Sequence, residues 1–282
     1  MTDFSEIKEI VKKQMESRAT EEQIAAYKKA IKEDKTRLSY WFPKLLAAGL
    51  PVPRTVLVEA TEEEVTNAKH LLFEDVEPKE IHDLVARIKQ ATDEIGYPCF
   101  LRTDYTSAKH YWEKTCFVTS PDKLLDHVME IAAFSEASGL IGMPIDMWAI
   151  REYLPVKPMG FCRNYENMPI VKEFRVFVDG DKIECIHPYW PKEALERGQV
   201  EWLPENSFCP EDSLVYLDIA NRHRIDYLAE KAGGILGGRW SVDILYVGGS
   251  CIRDEYRWYI TDLAEADKSW HWPDCRTNQA RK

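Results

Sequence analysis

The sequence predicts an α+β fold, with helices concentrated early in the chain and β-hairpins late. Apolar residues recur at helical spacing before residue 97, whereas alternating apolar and polar residues and a strong hairpin turn come after it. This order differs from the regular alternation of strands and helices that a parallel sheet requires. With 45% hydrophobic and 11% aromatic residues among 282, the chain can fill a substantial core.

The helices are predicted from apolar spacing and from capping signals. Apolar residues from Phe4 to Met15 lie at helical spacing, and Thr20 with Gln23 forms a capping box before a second helix. Further helices are predicted at 61–72, 81–95, 121–134 and 220–232, and Gly233-Gly234 is predicted to end the last of them.

The strands are predicted at 55–58, 99–103, 115–118, 147–154, 172–178, 182–187, 240–247 and 257–262. Asp179-Gly180 joins two of them and is the strongest short hairpin signal in the chain. The strands at 99–103 and 115–118 are expected to form another hairpin. These elements divide the chain into a helical extension (1–50), a front lobe (51–145) and a back lobe (146–282).

Composition and charge argue against several classes of protein. The formal net charge is −11, which disfavours a protein that grips nucleic-acid backbone but does not eliminate nucleic acid as a target. The sequence shows no signal segment and no run of 18 apolar residues, so we expect no membrane association. Seven scattered cysteines without a CxxC pair favour the reducing cytoplasm over a disulfide framework.

Two segments carry residues suited to a nucleotide. Arg102 ends an apolar strand and Lys109 follows in the connection, an arrangement that suits a polyphosphate, although a solvated turn is the competing interpretation. The strand that contains Arg151, Glu152 and Tyr153 could offer backbone groups to an adenine edge, and it could equally be an ordinary strand.

Four charged residues in the later strands are candidates for a cleft or for a metal site. Glu173 and Arg175 are two apart on a strand and therefore share a face, either in a cleft or as a structural ion pair. Asp243 and Asp262 are lone carboxylates in two late apolar strands, where burial is costly without a cation. Magnesium prefers such oxygen ligands, although each aspartate could instead cap a turn.

Common catalytic and nucleotide-binding motifs are absent from the sequence. There is no GxxxxGK loop, no GxGxxG and no GxSxG, and Gly237-Gly238 and Gly248-Gly249 are interpreted as turns. His271 and Cys275 could form half of a zinc site, but no partner pair with suitable spacing is evident. We therefore expect the two flanking tryptophans to pack on a neighbouring lobe or to wall a pocket.

The order of these features resembles the ATP-grasp superfamily. The segments KEFRVFVDGDKIECI, WSVDILYV and WYITDLAEA are most similar to the branch of eukaryotic cell-division-cycle proteins that help assemble a translation initiation factor, and to related bacterial, archaeal and viral proteins. The resemblance covers about residues 97–275. It implies two lobes with antiparallel sheets that enclose a nucleotide cleft, and it implies ATP and Mg²⁺ as ligands.

The resemblance also implies roles for individual residues. The phosphate ligands would be Arg102, Lys109 and Arg175, of which Lys109 and Arg175 would be catalytic. The remaining nucleotide-binding positions would be Arg151, Glu152, Tyr153 and Glu173. The magnesium ligands would be Asp243, Asp262 and Glu265, the last standing three residues after Asp262 where relatives use a spacing of two.

Two functions follow from the resemblance. The first is an ATP- and magnesium-dependent ligase that joins a carboxylate to an amine or similar nucleophile through an acyl-phosphate. The alternative is an ATP-binding assembly factor that grips a protein partner and has little ligase activity. The expected partners are therefore ATP together with a carboxylate or a protein substrate.

Overall fold

The computed structural model describes residues 20–73, 81–138, 142–196, 198–204, 210–247 and 258–279. The chain folds as two compact units. Unit 1 contains Met1–Ser39 and Arg54–Tyr153, and unit 2 contains Tyr40–Pro53 and Leu154–Lys282. The helix predicted at 4–15 and the predicted turn at Gly248-Gly249 lie outside the described residues.

The helices are α1 (Glu21–Glu33), α2 (Leu38–Ala47), α3 (Glu62–Phe73), α4 (His82–Ile95), α5 (Leu124–Ala137), α6 (Pro210–Val215), α7 (Ile219–Leu236) and α8 (Arg276–Gln279). The strands are β1 (Thr55–Glu59), β2 (Cys99–Thr103), β3 (Phe117–Val118), β4 (Met147–Glu152), β5 (Gly160–Cys162), β6 (Met168–Ile170), β7 (Glu173–Asp179), β8 (Lys182–Pro188), β9 (Val200–Trp202), β10 (Arg239–Tyr246) and β11 (Trp258–Glu265). Within the described ranges, none of the helices has the length and apolar character needed to span a bilayer.

The sheet of unit 1 is antiparallel, with the strand order β1-β4-β2-β3. The pairing of Cys99 with Val118 confirms the predicted hairpin. One face of this sheet contributes Leu101, Trp148 and Ile150 to a core shared with α4 and α5. Since side chains alternate along a strand, Arg102 faces the other way.

β4 belongs to unit 1, where it pairs with β1 and β2. The sequence-based division at residue 146 assigns the same strand to the back lobe. The apolar side chains of β4 pack in one core with α4 and α5. The alternation of residues along a strand does not show which helices that strand will pack against. The division into three parts stays a prediction.

Asp104 fixes the backbone just after β2. Its carboxylate accepts hydrogen bonds from Ser39 N at 2.7 Å, from Ser39 Oγ at 2.6 Å and from Arg37 Nε at 2.6 Å. The bond from Ser39 N satisfies one of the backbone donors in the first turn of α2, which lack partners within the helix. Asp104 therefore attaches the segment that begins with Arg102 to Arg37 and Ser39.

The larger sheet of unit 2 is antiparallel, with the strand order β11-β10-β7-β8, and the same unit contains a three-stranded sheet, β6-β5-β9. The predicted hairpin at Asp179-Gly180 is confirmed, with Asp179 opposite Lys182 and a positive φ of 58° at Gly180. One face of the larger sheet packs on α7, which buries Ile225, Leu228 and Ala229. The opposite face carries four of the charged residues singled out in the sequence: Glu173, Arg175, Asp243 and Asp262.

The predicted end of α7 at Gly233-Gly234 is wrong, because the helix continues to Leu236 and is capped at Gly237. A Cβ on Gly233 would lie 2.0 Å from Gly180 O and 2.8 Å from Val178 Cγ2. The glycine therefore serves close packing of the helix on the β7–β8 turn. Gly237, with a φ of 65°, donates its N–H to Gly233 O at 2.8 Å and ends the helix.

We expect Gly233→Ala to destabilise the protein by about 1–3 kcal/mol, because the added methyl group overlaps the Gly180 carbonyl. Gly234→Ala is the matched control, since its Cβ would meet Asp181 Cβ at an ordinary 3.6 Å. Alanine in a helix interior stabilises by about 0.5–1 kcal/mol relative to glycine, so the control should gain stability. Urea unfolding measures both, and equal effects of the two substitutions would contradict the close packing at Gly233.

Candidate functional site

A row of three charged residues crosses the larger sheet of unit 2. Arg175 on β7 lies opposite Asp243 on β10, and Asp243 lies opposite Asp262 on β11. Directly opposed residues project from the same face of a sheet and have their Cβ atoms about 4.5–5.5 Å apart. The fold therefore brings together three residues that are far apart in sequence, with Asp243 in the middle.

Arg175 and Asp243 form a two-pronged ion pair. Arg175 Nε donates to Asp243 Oδ1 at 2.7 Å and Nη2 donates to Oδ2 at 2.8 Å, with side chains only 19% and 5% exposed. Burial alone would lower the pKa of Arg175, but the charge and hydrogen bonds of Asp243 raise it above its usual range. The ion-pair partner of Arg175 is thus Asp243, whereas the sequence offered Glu173.

Asp262 lies inside β11 rather than at its end. The strand predicted to stop at Asp262 continues through Glu265, so the competing interpretation as a turn cap does not apply. Asp262 Oδ1 accepts the Leu263 N–H at 3.1 Å. β11 has a β-bulge beside Asp243, in which Thr261 is the extra residue. The Thr261 hydroxyl donates to Asp243 O at 3.2 Å and to Glu173 Oε1 at 3.0 Å.

Two carboxylates lie side by side on this face. Asp243 and Asp262 are directly paired in the register of β10 and β11, and Glu173 is on the same face two residues before Arg175. Mg²⁺ takes oxygen ligands and is commonly held by one or two carboxylates. The donor set therefore fits magnesium.

Glu265 is not brought onto the same face. It is three residues from Asp262 along the strand, so its side chain projects from the opposite side of the sheet. It lies opposite Trp240, and its Oε2 is 2.7 Å from Lys268 Nζ.

In unit 1 the register places Arg102 and Arg151 on one face of the sheet. Arg151 lies opposite Phe100, two residues from Arg102, and both arginines are at most 5% exposed. Arg102 Nε donates to Thr103 O at 3.0 Å, and Arg151 Nε donates to the Thr55 hydroxyl at 3.4 Å. This face, which is the one opposite α4 and α5, therefore carries two positive charges.

The other candidates of unit 1 follow β2 or lie at the end of β4. Lys109 begins a 3₁₀ turn, Lys109–Tyr111, that follows Ala108 with a positive φ of 50°. Glu152 accepts the Arg54 N–H at 2.7 Å. The Tyr153 ring packs on Phe117 at 5.0 Å between ring centroids, and burial raises the pKa of its hydroxyl.

The structure also brings together four side chains that could bind a metal ion, a group that was not predicted from the sequence. Cys185 and His187 on β8 lie beside His271 and Cys275, and one ligand atom from each residue is within 4.8 Å of the other three. The interpretation that His271 and Cys275 lack a partner pair is therefore wrong. The available signal was the Cys-x-His spacing on a predicted strand, which puts Cys185 and His187 on one face.

Comparison with known proteins gives partial likenesses. No protein-family model matches the chain, and no curated protein matches it. Among solved structures, the chain is similar to a RimK domain ATP-grasp protein from Sphaerobacter thermophilus, at 13% identity and a TM-score of 0.44, over 87% of this chain and 62% of that one.

Two further solved structures show a similar level of identity and a similar TM-score. C-terminally truncated Cdc123 from Schizosaccharomyces pombe shows 14% identity and a TM-score of 0.48, over 82% of this chain and 83% of that one. D-alanine–D-alanine ligase from Bacillus anthracis, complexed with ATP, shows 10% identity and a TM-score of 0.43, over 82% of this chain and 53% of that one. The chain thus spans less than two thirds of the length of the two bacterial proteins. The solved structures that it resembles include ATP-grasp proteins and Cdc123.

Proposed function

We propose that the chain is an ATP- and magnesium-dependent ligase of the ATP-grasp kind, which joins a carboxylate to an amine or similar nucleophile through an acyl-phosphate. The observation that carries the proposal is the row of Arg175, Asp243 and Asp262 on one face of the sheet. The row combines an oxygen donor pair for a cation with a guanidinium for phosphate. The type of ligase reaction rests on the sequence resemblance, and a cytoplasmic location belongs to the same proposal.

Asp243 and Asp262 would hold the magnesium ion. Asp243 retains the capacity to do so, because a carboxylate has about four acceptor positions and Arg175 uses two of them. The ion pair also fixes the plane of the Asp243 carboxylate, as residues behind a metal ligand commonly do. When bound, magnesium supplies positive charge that neutralises phosphate oxygens.

The cations of the chain would bind and orient the phosphates. Arg175 is held by Asp243 and by Trp270 O at 3.3 Å, so its guanidinium is positioned in advance to stabilise charge on the terminal phosphate. We further propose phosphate contacts for Lys109 and Arg102 of unit 1. Arg151, Glu152, Tyr153 and Glu173 remain proposed nucleotide-binding positions.

A turnover assay distinguishes this ligase from an assembly factor. The protein is incubated with ATP and Mg²⁺, together with pools of carboxylic acids, pools of amines, or both. A ligase should release ADP and phosphate only when an acid and an amine are present together. Tight ATP binding with no turnover in any pool, combined with a protein that co-purifies stoichiometrically, would overturn the ligase proposal in favour of an assembly factor.

We expect Lys109→Ala to weaken ATP binding about tenfold or more, because a hydrogen bond to a charged group contributes about 1.5–3 kcal/mol. Adenosine, which lacks phosphates, should bind the variant as it binds the wild type. Lys123→Ala, in the exposed turn Pro121–Lys123 of the same unit, is the matched control and should change neither affinity. Calorimetric titration measures all of them, and equal losses for ATP and adenosine would show that Lys109 does not contact phosphate.

A further inference from the structure

The side chains of Cys185, His187, His271 and Cys275 converge at the β8 edge of the larger sheet in unit 2. Cys185 and His187 are two residues apart on β8, so both project from the face that carries Arg175. His271 and Cys275 follow β11 in the segment between Ser269 and α8. One ligand atom from each of the four lies within 4.8 Å of all the others.

A tight turn gives the second pair its geometry. Cys275 donates its backbone N–H to Trp272 O at 3.1 Å, and the turn between them begins with Pro273. Proline favours this position because its φ is already set for the turn. Trp272 Nε1 donates to Pro188 O at 3.1 Å and Thr277 Oγ1 donates to Glu184 O at 3.3 Å, so the turn is attached to β8 on both sides of Cys185 and His187.

The four ligand atoms approach the arrangement that tetrahedral zinc requires. Zn–S bonds of about 2.3 Å and Zn–N bonds of about 2.05 Å place neighbouring ligand atoms about 3.3–3.8 Å apart. Cys185 Sγ is 3.1 Å from His271 Nε2, and every other pair is within 4.8 Å. Small side-chain rotations are therefore enough to close the site on an ion.

Both histidines have a ring nitrogen that could serve as a ligand. His271 directs Nε2 at Cys185 and has its other ring nitrogen 3.3 Å from Trp272 O, which is the backbone contact that a metal-bound histidine commonly makes. His187 Nε2 is buried, and among the residues that the structure describes it has no hydrogen-bond partner. A buried polar atom without a partner is costly, and a bound ion would remove that cost.

Both cysteines are available as ligands, because the structure shows Cys185 and Cys275 as free thiols. Binding of a divalent ion would release the two thiol protons, so affinity should rise with pH.

We propose that Cys185, His187, His271 and Cys275 form a structural zinc site with a Cys₂His₂ ligand set. Four protein ligands complete a tetrahedral shell and leave no open position for a substrate, which is typical of structural rather than catalytic zinc. Phe177 packs on the His271 ring at 4.2 Å and Trp272 stacks on His187 at 6.1 Å between ring centroids, which shields the site. Its soft thiolate ligands favour zinc, whereas the all-oxygen pair of aspartates favours magnesium.

The zinc site would anchor the chain segment that supports Arg175. Trp270, next to His271, accepts a hydrogen bond from Arg175 Nη1 through its carbonyl oxygen. A metal-locked turn would therefore hold that carbonyl in place on the sheet face. The zinc site would form independently of ATP binding, and zinc binding can be measured without nucleotide.

The direct test uses the full chain purified under reducing conditions and then loaded with Zn²⁺ or Co²⁺. Elemental analysis after gel filtration should give one zinc per chain. Cobalt should produce the strong visible bands of tetrahedral coordination together with a thiolate-to-cobalt charge-transfer band. A cobalt complex without that charge-transfer band, or zinc lost on gel filtration, would overturn the proposal.

Single substitutions locate the site. Cys275→Ser should weaken zinc binding at least a hundredfold, because even residues behind the ligands affect metal affinity about 10–100-fold. Cys162→Ser is the matched control, since Cys162 is another buried free cysteine of unit 2, and it should retain zinc. Equal zinc content in both variants would refute the assignment, as would a Cys185–Cys275 disulfide that persists under reducing conditions and leaves no thiols for zinc.

Discussion

Asp262→Asn is expected to abolish the magnesium dependence of ATP binding while leaving the fold intact. The amide has almost the same shape as the carboxylate and can still accept the Leu263 N–H through its oxygen. It lacks the negative charge that a hard divalent ion requires from its ligands. Calorimetric titration of ATP in Mg²⁺ and in EDTA should show tighter binding with magnesium for the wild type and no difference for the variant.

Asp212→Asn provides the control for this substitution. Asp212 is an exposed aspartate on α6 of the same unit, so its loss of charge should leave the magnesium dependence unchanged. Circular dichroism of both variants establishes that the fold is retained. A full magnesium effect in Asp262→Asn would show that the ion binds elsewhere.

Arg175→Ala is expected to lower the free energy of unfolding by about 3–5 kcal/mol, because it leaves the carboxylate of Asp243 buried without its partner. The double variant Arg175→Ala/Asp243→Ala should be no less stable than Arg175→Ala alone, since it removes the unpaired charge as well. Urea unfolding of the wild type, both single variants and the double variant gives the coupling energy.

The matched control for this pair is Arg222→Ala on α7. Arg222 also forms an ion pair with an aspartate, Asp226, but its side chain is 43% exposed. An exposed pair within one helix contributes less than about 1 kcal/mol, so this variant should be nearly as stable as the wild type. Strictly additive effects of Arg175→Ala and Asp243→Ala would contradict a coupled buried pair.

The local features of the fold could be predicted from the sequence because neighbouring residues determine them. Asp179-Gly180 specifies a tight turn by backbone preference, and Thr20 with Gln23 forms both hydrogen bonds of the predicted capping box. The end of α7 could not be predicted in this way. Glycine is a residue type that commonly ends helices, but Gly233 instead allows close packing against the Gly180 carbonyl. Only the folded structure brings these two residues together.

The candidate site shows the same limit. Asp243 and Asp262 stand out as single carboxylates in apolar strands, but their direct opposition depends on the register of β10 and β11 and on a bulge. Similarly, the sequence offers His271 and Cys275 as a possible half of a zinc site. The second pair, Cys185 and His187, lies on β8, and only the folded structure shows that the two pairs meet.

The most direct test of the magnesium and ATP proposal is a structure of the protein with a non-hydrolysable ATP analogue and Mg²⁺. We expect the ion to be bound by carboxylate oxygens of Asp243 and Asp262, with Arg175 in contact with the terminal phosphate. An ion bound without either aspartate, or a nucleotide whose phosphates make no contact with Arg175, would contradict the proposed site.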